Sequence, residues 1–195
     1  MKKLLFLLIV LVPGFFFLSC GSKGEDPQPE IEGYIRFKVD GVQKEFKTGQ
    51  TDLMSFSFDS NGPVYSAIAQ VLGPGSTGTS NFIQINLRNE SLFETDVSYE
   101  MQDAILYQGV PLVRILFTYS DEEGRIFNAV LLDNNSPFLE VKNDATVRFN
   151  KITEDWVEGT FSALLTGPVT NLSVGDQERV ISEGQFKMKL INLIP

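Results

Sequence analysis

Acid–base chemistry in this chain would fall to carboxylates alone, because the sequence holds 25 Asp and Glu and no His. Ser-His-Asp and Cys-His nucleophile systems, imidazole-bound zinc and histidine pH switches are excluded with it. A glycosidase needs two carboxyl groups about 5–9 Å apart, one raised in pKa by an apolar pocket. The conspicuous acids are Asp121-Glu122-Glu123, Glu154-Asp155 and Asp176, and all fall in apparent turns, where acids are ordinary occupants. Calcium would also accept oxygen ligands alone. Asp59-Ser60-Asn61-Gly62 and Asp133-Asn134-Asn135 carry suitable side chains, but neither follows the spaced D-x-D-x-D-G loop, and turn chemistry accounts for both. No catalytic, metal or cofactor motif emerges. The expectation is a non-enzyme without a cofactor, with a histidine-free carboxylate hydrolase as the alternative.

Recognition has better candidates. A sugar ring is held by an exposed aromatic platform beside polar groups, and Trp156, the only Trp, alternates with the apolar Val157 and Phe161 and stands next to Glu158. Tyr34 shares the polar face of its own strand with Arg36 and Lys38. Aromatics are also ordinary strand residues that pack into cores, so burial decides between the two roles. The formal charge of −9 argues against nucleic acid as partner, since that surface requires a basic face to displace counterions.

The lone Cys excludes an intramolecular disulfide, a thiolate cluster and a CxxC redox pair. Its surroundings point to another use. Met1-Lys2-Lys3 is a cationic start, followed by an apolar run from Leu4 to Leu18 that is interrupted by Pro13-Gly14. That run is shorter than the roughly 20 residues needed to span a bilayer and has the layout of a signal peptide. Leu18-Ser19-Cys20-Gly21, directly behind it, resembles a bacterial lipobox. The resemblance implies cleavage between Ser19 and Cys20, a thioether-linked diacylglycerol on Cys20 and an acylated amine. Several acyl chains matter because one chain alone anchors only marginally. Gly21, in place of the Asp of the inner-membrane retention signal, implies the outer membrane. Gly21 to Glu30 (GSKGEDPQPE) has no apolar residue to bury and reads as a tether. Lys23 with Glu25-Asp26 resembles the export tags of surface lipoproteins in the Bacteroidetes, and both the periplasmic and the surface orientation stay open. Cleavage would leave 14 basic against 25 acidic side chains, a net charge of −11. Attachment would then rest on the acyl chains, since an acidic body is repelled by anionic lipid.

The elements that must position Tyr34 and Trp156 read as strands. Ile35, Phe37 and Val39 alternate with Tyr34, Arg36 and Lys38, the pattern of a half-buried strand. Asp40-Gly41 predicts a two-residue hairpin turn that sets Val39 opposite Val42, Ile35 opposite Phe46 and the misfit Lys44 opposite Phe37. Met54, Phe56 and Phe58 alternate next, and Ser60-Asn61-Gly62-Pro63 turns the chain into a central strand, Val64–Leu72. After a loop over Gly73–Asn81, further strands are predicted around Ile83–Leu87, Val113–Tyr119, Arg125–Leu132, Val147–Phe149 and Val157–Leu165. A last strand, preceded by Glu183-Gly184, buries Phe186, Met188 and Leu190; Leu92–Gln108 fits a short helix or a broken strand. About ten strands with turns every 8–12 residues predict an all-β, antiparallel sandwich or barrel. The domains are 1–19 signal peptide, 20–30 lipidated Cys20 and tether, and 31–195 one β domain.

Three segments also resemble an uncharacterised family of small Bacteroidetes lipoproteins with an F-x-x-D-G hairpin, an I-x-G-T-F strand and an E-G-x-F strand. Here they are Phe37-Lys38-Val39-Asp40-Gly41, Val157-Glu158-Gly159-Thr160-Phe161 and Glu183-Gly184-Gln185-Phe186. Val157 departs from the pattern's Ile. The resemblance implies fold and location and no activity. The expectation is therefore an envelope protein anchored to the membrane through Cys20, binding a glycan, an envelope polymer or a partner protein. A purely structural envelope role is a further alternative.

Overall fold

The computed structural model describes residues 33–49, 51–129, 145–170 and 173–195. Cys20, the signal peptide, the tether and Asp133-Asn134-Asn135 lie outside them. The described residues form an all-β fold of thirteen strands with no helix. The additional strands relative to the ten or so predicted are short ones: β6 (Ser98–Glu100) and β7 (Ile105–Tyr107) fall in the Leu92–Gln108 region that sequence pattern left ambiguous, and β8 (Val110–Leu112) lies just beyond it.

The first hairpin pairs β1 (Gly33–Val39) with β2 (Val42–Thr48) in the predicted register, Val39↔Val42, Ile35↔Phe46 and Phe37↔Lys44. Asp40 (φ 50°) and Gly41 (φ 84°) supply the two positive φ angles of a type I′ turn. Val42 is a correction: it is 62% exposed, not part of the buried face. The misfit Lys44 is reconciled by an ion pair to Glu122 across the rim.

The main sheet runs through β3 (Leu53–Asp59), β4 (Val64–Leu72), β5 (Phe82–Asn89), β9 (Ile115–Ser120), β10 (Ile126–Ala129), β12 (Trp156–Val169) and β13 (Val174–Asn192), and β12 pairs back onto β13. The hydrogen bonding of β13 to β3 closes this order into a ring of seven strands. A closed ring of purely antiparallel neighbours needs an even number of strands. Seven require one parallel neighbour, and it is β13 with β3, Lys189↔Leu53 to Asn192↔Phe56. The β1–β2 hairpin continues from β13, and β11 (Ala145–Ile152) with β6 continues from β12.

Period-two alternation sends one face of every strand inward. Ile35, Phe37, Phe46, Met54, Ile83, Ile85, Leu87, Phe117, Phe127, Phe149, Phe186 and Met188 are all essentially sealed from solvent. Phe rings meet edge to face through this core, Phe37 with Phe46 at 5.3 Å and Phe149 with Phe186 at 6.1 Å between centroids. Such pairs are worth about 0.5–1.5 kcal/mol beyond their burial. The β5–β9 connection inserts Phe93 and Tyr99 among Phe56 and Phe149, with Phe56–Phe93 centroids at 5.1 Å, and so closes one end of the ring.

β13 corrects the sequence reading at Glu183-Gly184. The pair does not precede the strand; the 19-residue β13 runs through it. Glu183 takes a positive φ of 52° and the register with β1 shifts locally, as a bulge does.

Candidate functional site

Five neighbouring strands, in the order β2-β1-β13-β12-β11, carry the two aromatics on their outward face. Their placement follows from register. Tyr34 pairs with Lys47 on β2 and with Lys187 on β13, and Lys187 in turn pairs with Glu158 on β12. Trp156 opens β12 opposite Lys189. Strand alternation keeps Tyr34 and Trp156 half-buried on the outside while their neighbours Ile35 and Val157 go into the core. The sequence placed each on the polar face of its own strand. Only β13 brings them together, by inserting Lys187 and Lys189 between them.

Both rings are already engaged by cations. The Arg36 guanidinium lies over Tyr34 at 3.9 Å, and the Lys187 and Lys189 ammonium groups lie 5.1 and 5.9 Å from the Trp156 ring. Gly33 allows the close approach: a Cβ there would overlap Thr48 and the Lys187 carbonyl, and would touch the Trp156 ring at 3.4 Å. Some cations of the face are paired, Lys38 to Glu183 at 2.6 Å, Arg148 to Asp96 at 2.7 Å and Lys151 to Glu158 at 3.8 Å. Among the described residues, Arg36, Lys47 and Lys187 make no ion pair, and the Arg36 Nε is buried without a hydrogen-bond partner. Beside them a shallow recess of about 310 Å³ runs over Thr146, Thr160, Ser162 and Gln185. The arrangement is a face of aromatic rings and cations leading into hydroxyl and amide groups, with the Glu183 carboxylate at the edge of the recess. The cationic side chains of β13 were the part that sequence reading missed. A signal for them existed, the alternation of Lys187 and Lys189 with Phe186, Met188 and Leu190.

The candidate acids are placed differently. Asp121 is buried and accepts from the Arg125 backbone N–H at 2.8 Å and the Arg125 Nε at 2.7 Å. Its neighbour Glu122 is held below the usual carboxylate range, chiefly by the hydrogen bond from Lys44, the opposite of what a general acid requires. Glu154, Asp155 and Asp176 are exposed. Both carboxylate oxygens of Asp59 are occupied, Oδ1 by the Asn61 N–H at 2.9 Å and Oδ2 by the Tyr107 hydroxyl at 2.9 Å. These contacts depress its pKa, the Asn61 bond most. That is the turn chemistry expected of this segment. Among the described residues no group of three or more Cys, Asp or Glu converges as a metal site would require. A larger recess, about 400 Å³, lies over Gln84, Asn86, Thr118 and Asn128. Its walls reach Ala129, the last described residue before 145, and none of the sequence-predicted site residues lines it.

No protein-family model, curated protein or solved structure matches the chain.

Proposed function

We propose that the protein is a lipid-anchored binding module of the bacterial cell envelope, held at the outer membrane through Cys20, with the Tyr34–Trp156 face as its ligand-binding surface and a glycan as the ligand class. The observation that carries the ligand reading is the convergence of the two half-buried aromatics around Lys187, bordered by the hydroxyl and amide groups of the adjoining recess. Aromatic rings offer the apolar faces of sugars a stacking surface, and neighbouring polar groups then read the hydroxyls. The anchor reading rests on Leu18-Ser19-Cys20-Gly21 behind a cationic, apolar leader. Twelve residues lie between Cys20 and Gly33, a reach of at most about 45 Å when extended, so the face would work close to the membrane. The hydrolase alternative is not favoured by the acids, whose buried member Asp121 is ion-paired to Arg125.

Two measurements test the two parts. Cells fed a labelled fatty acid should mark the wild-type protein and leave Cys20→Ala unmarked; label on the variant overturns the anchor. Trp156 is the only Trp, so its fluorescence reports the face directly. A glycan panel should contain ligands that shift this emission, with binding lost by calorimetry in Trp156→Ala. An indole shielded from an added quencher overturns the stacking role.

A further inference from the structure

We infer that the Tyr34–Trp156 face takes an acidic glycan, one whose sugar rings carry carboxylate, sulfate or phosphate. This rests on the reading of that face as a glycan site and specifies its ligand. The first observation is charge. The chain has 25 acidic and 16 basic side chains, yet Arg36, Lys38, Lys47, Arg148, Lys151, Lys187 and Lys189 all project from the outward face of five adjacent strands. The acids on the same outward faces, Glu45, Glu158, Asp176, Glu178 and Glu183, are fewer, and Asp176 and Glu178 lie at the end of β13 remote from Lys187. Cations gathered on one side of an acidic protein make a local field that attracts an anion which the rest of the surface repels.

The second observation is the state of the cations. Tyr34 stands between Lys47 and Lys187 across its two strand neighbours, with Arg36 stacked on its ring. None of these three cations has an ion-pair partner among the described residues, and the Arg36 Nε is buried with no acceptor. Cations that no carboxylate holds are available for charge-assisted hydrogen bonds with the oxyanion of an incoming ligand.

Cations and ligand compete for the rings. Arg36 covers Tyr34, and Lys187 and Lys189 flank Trp156. A neutral sugar stacking on either ring must displace a cation and offers it nothing in return. An acidic sugar supplies the displaced cation with an anionic partner while its ring takes the aromatic face. The same chemistry distinguishes a polysaccharide from an anionic lipid surface. The face continues into the Thr146–Thr160–Ser162–Gln185 recess, whose hydroxyl and amide groups suit the hydroxyls of a sugar chain.

The test uses the full chain in detergent, with Trp156 emission as readout and three probes: polygalacturonate, a neutral dextran of similar length, and vesicles of phosphatidylglycerol. Polygalacturonate should bind at least tenfold more tightly than dextran, and its affinity should fall at least tenfold between 50 and 500 mM salt, on the order expected for a few released counterions. Lys187→Gln and Lys47→Gln should each weaken it several-fold without moving the thermal midpoint; Lys47 lies on an exposed strand, which keeps the second variant informative if the first perturbs folding. Dextran binding as tightly, with no salt dependence, overturns the acidic specificity and leaves the glycan reading standing. Vesicle binding lost in Lys47→Gln, with no response to either polymer, makes the face a lipid contact and overturns both. Silence of Trp156 toward all three overturns the glycan reading itself.

Discussion

Tyr119 keeps a phenol inside an aromatic interior, and burial, reinforced by the nearby Glu122 and Asp121 carboxylates, raises its pKa far above the ordinary 10.0. Tyr99 is shifted the same way, first by burial. A folded-state pKa raised above the unfolded value contributes stability that is complete below the unfolded pKa and is lost as pH rises through and beyond it. The wild-type protein should therefore lose thermal stability above about pH 10. Tyr119→Phe should flatten that loss while changing the midpoint at pH 7 little, and Tyr99 should account for part of what remains; melts at pH 7 to 11 read both. Asp59 and Tyr107 show how little of this is visible in sequence. The Asx-type bond from Asn61 to Asp59 is local and follows from the residue types. The Tyr107 hydroxyl arrives from 48 positions away, carried by the β7–β8 hairpin.

At the scale of elements, β12 and β13 are joined by a reciprocal glycine–phenylalanine exchange. Gly159 pairs with Phe186 and Phe161 with Gly184, and each ring covers the opposite glycine. A Cβ on Gly159 would overlap the Arg148 carbonyl and the Phe186 ring, and one on Gly184 would overlap the Phe161 carbonyl and ring. The two Phe rings then stack at 6.4 Å, with Phe37 of β1 at 6.0 Å from Phe161. The three short motifs singled out in the sequence thus meet at one point of the core. Phe186→Ala should cost about 3–5 kcal/mol and Gly159→Ala about 1–3 kcal/mol through overpacking. In the double variant the removed ring relieves the side-chain overlap and leaves only that with the Arg148 carbonyl, so the two costs should fall short of additive by about 0.5 kcal/mol or more. Urea denaturation of the four proteins measures the coupling, and strict additivity would count against the ring-over-glycine geometry.

For the whole molecule, the ring closes only because β13 is long enough to pair with β12 on one edge and with β1 and then β3 on the other. One end is sealed by the β5–β9 connection, where Phe93 contacts Phe56, Tyr99 and Phe149. Phe93→Ala should leave a cavity at that end and lower stability by about 3–5 kcal/mol. The secondary structure should be retained, because no ladder hydrogen bond of the main ring passes through that side chain. Far-UV dichroism with thermal melts separates the two effects. A loss of β signal at room temperature would mean that the plug is required for the ring to form.

Local chemistry determined much of this protein in advance. Alternation of Ile35, Phe37 and Val39, or of Ile83, Ile85 and Leu87, dictates which face of a strand is buried, because side chains in a strand alternate with period two. Asp40-Gly41 dictates the first hairpin and its register, because few residues accept two positive φ angles in succession. The leader and Leu18-Ser19-Cys20-Gly21 carry their expectation entirely in sequence. Three things had to wait for the tertiary structure. The parallel β13–β3 pair follows from the parity of a seven-stranded ring, which no single strand's pattern encodes. Glu183-Gly184 reads as the boundary before the last strand, yet pairing on both sides holds β13 straight through it, and a bulge absorbs the strain. The candidate site is the clearest case. Tyr34 and Trp156 are 122 positions apart, and the cations that join them come from a third strand, so their meeting is a property of sheet order, set by long-range hydrogen bonding and core packing rather than by anything near either residue in the chain.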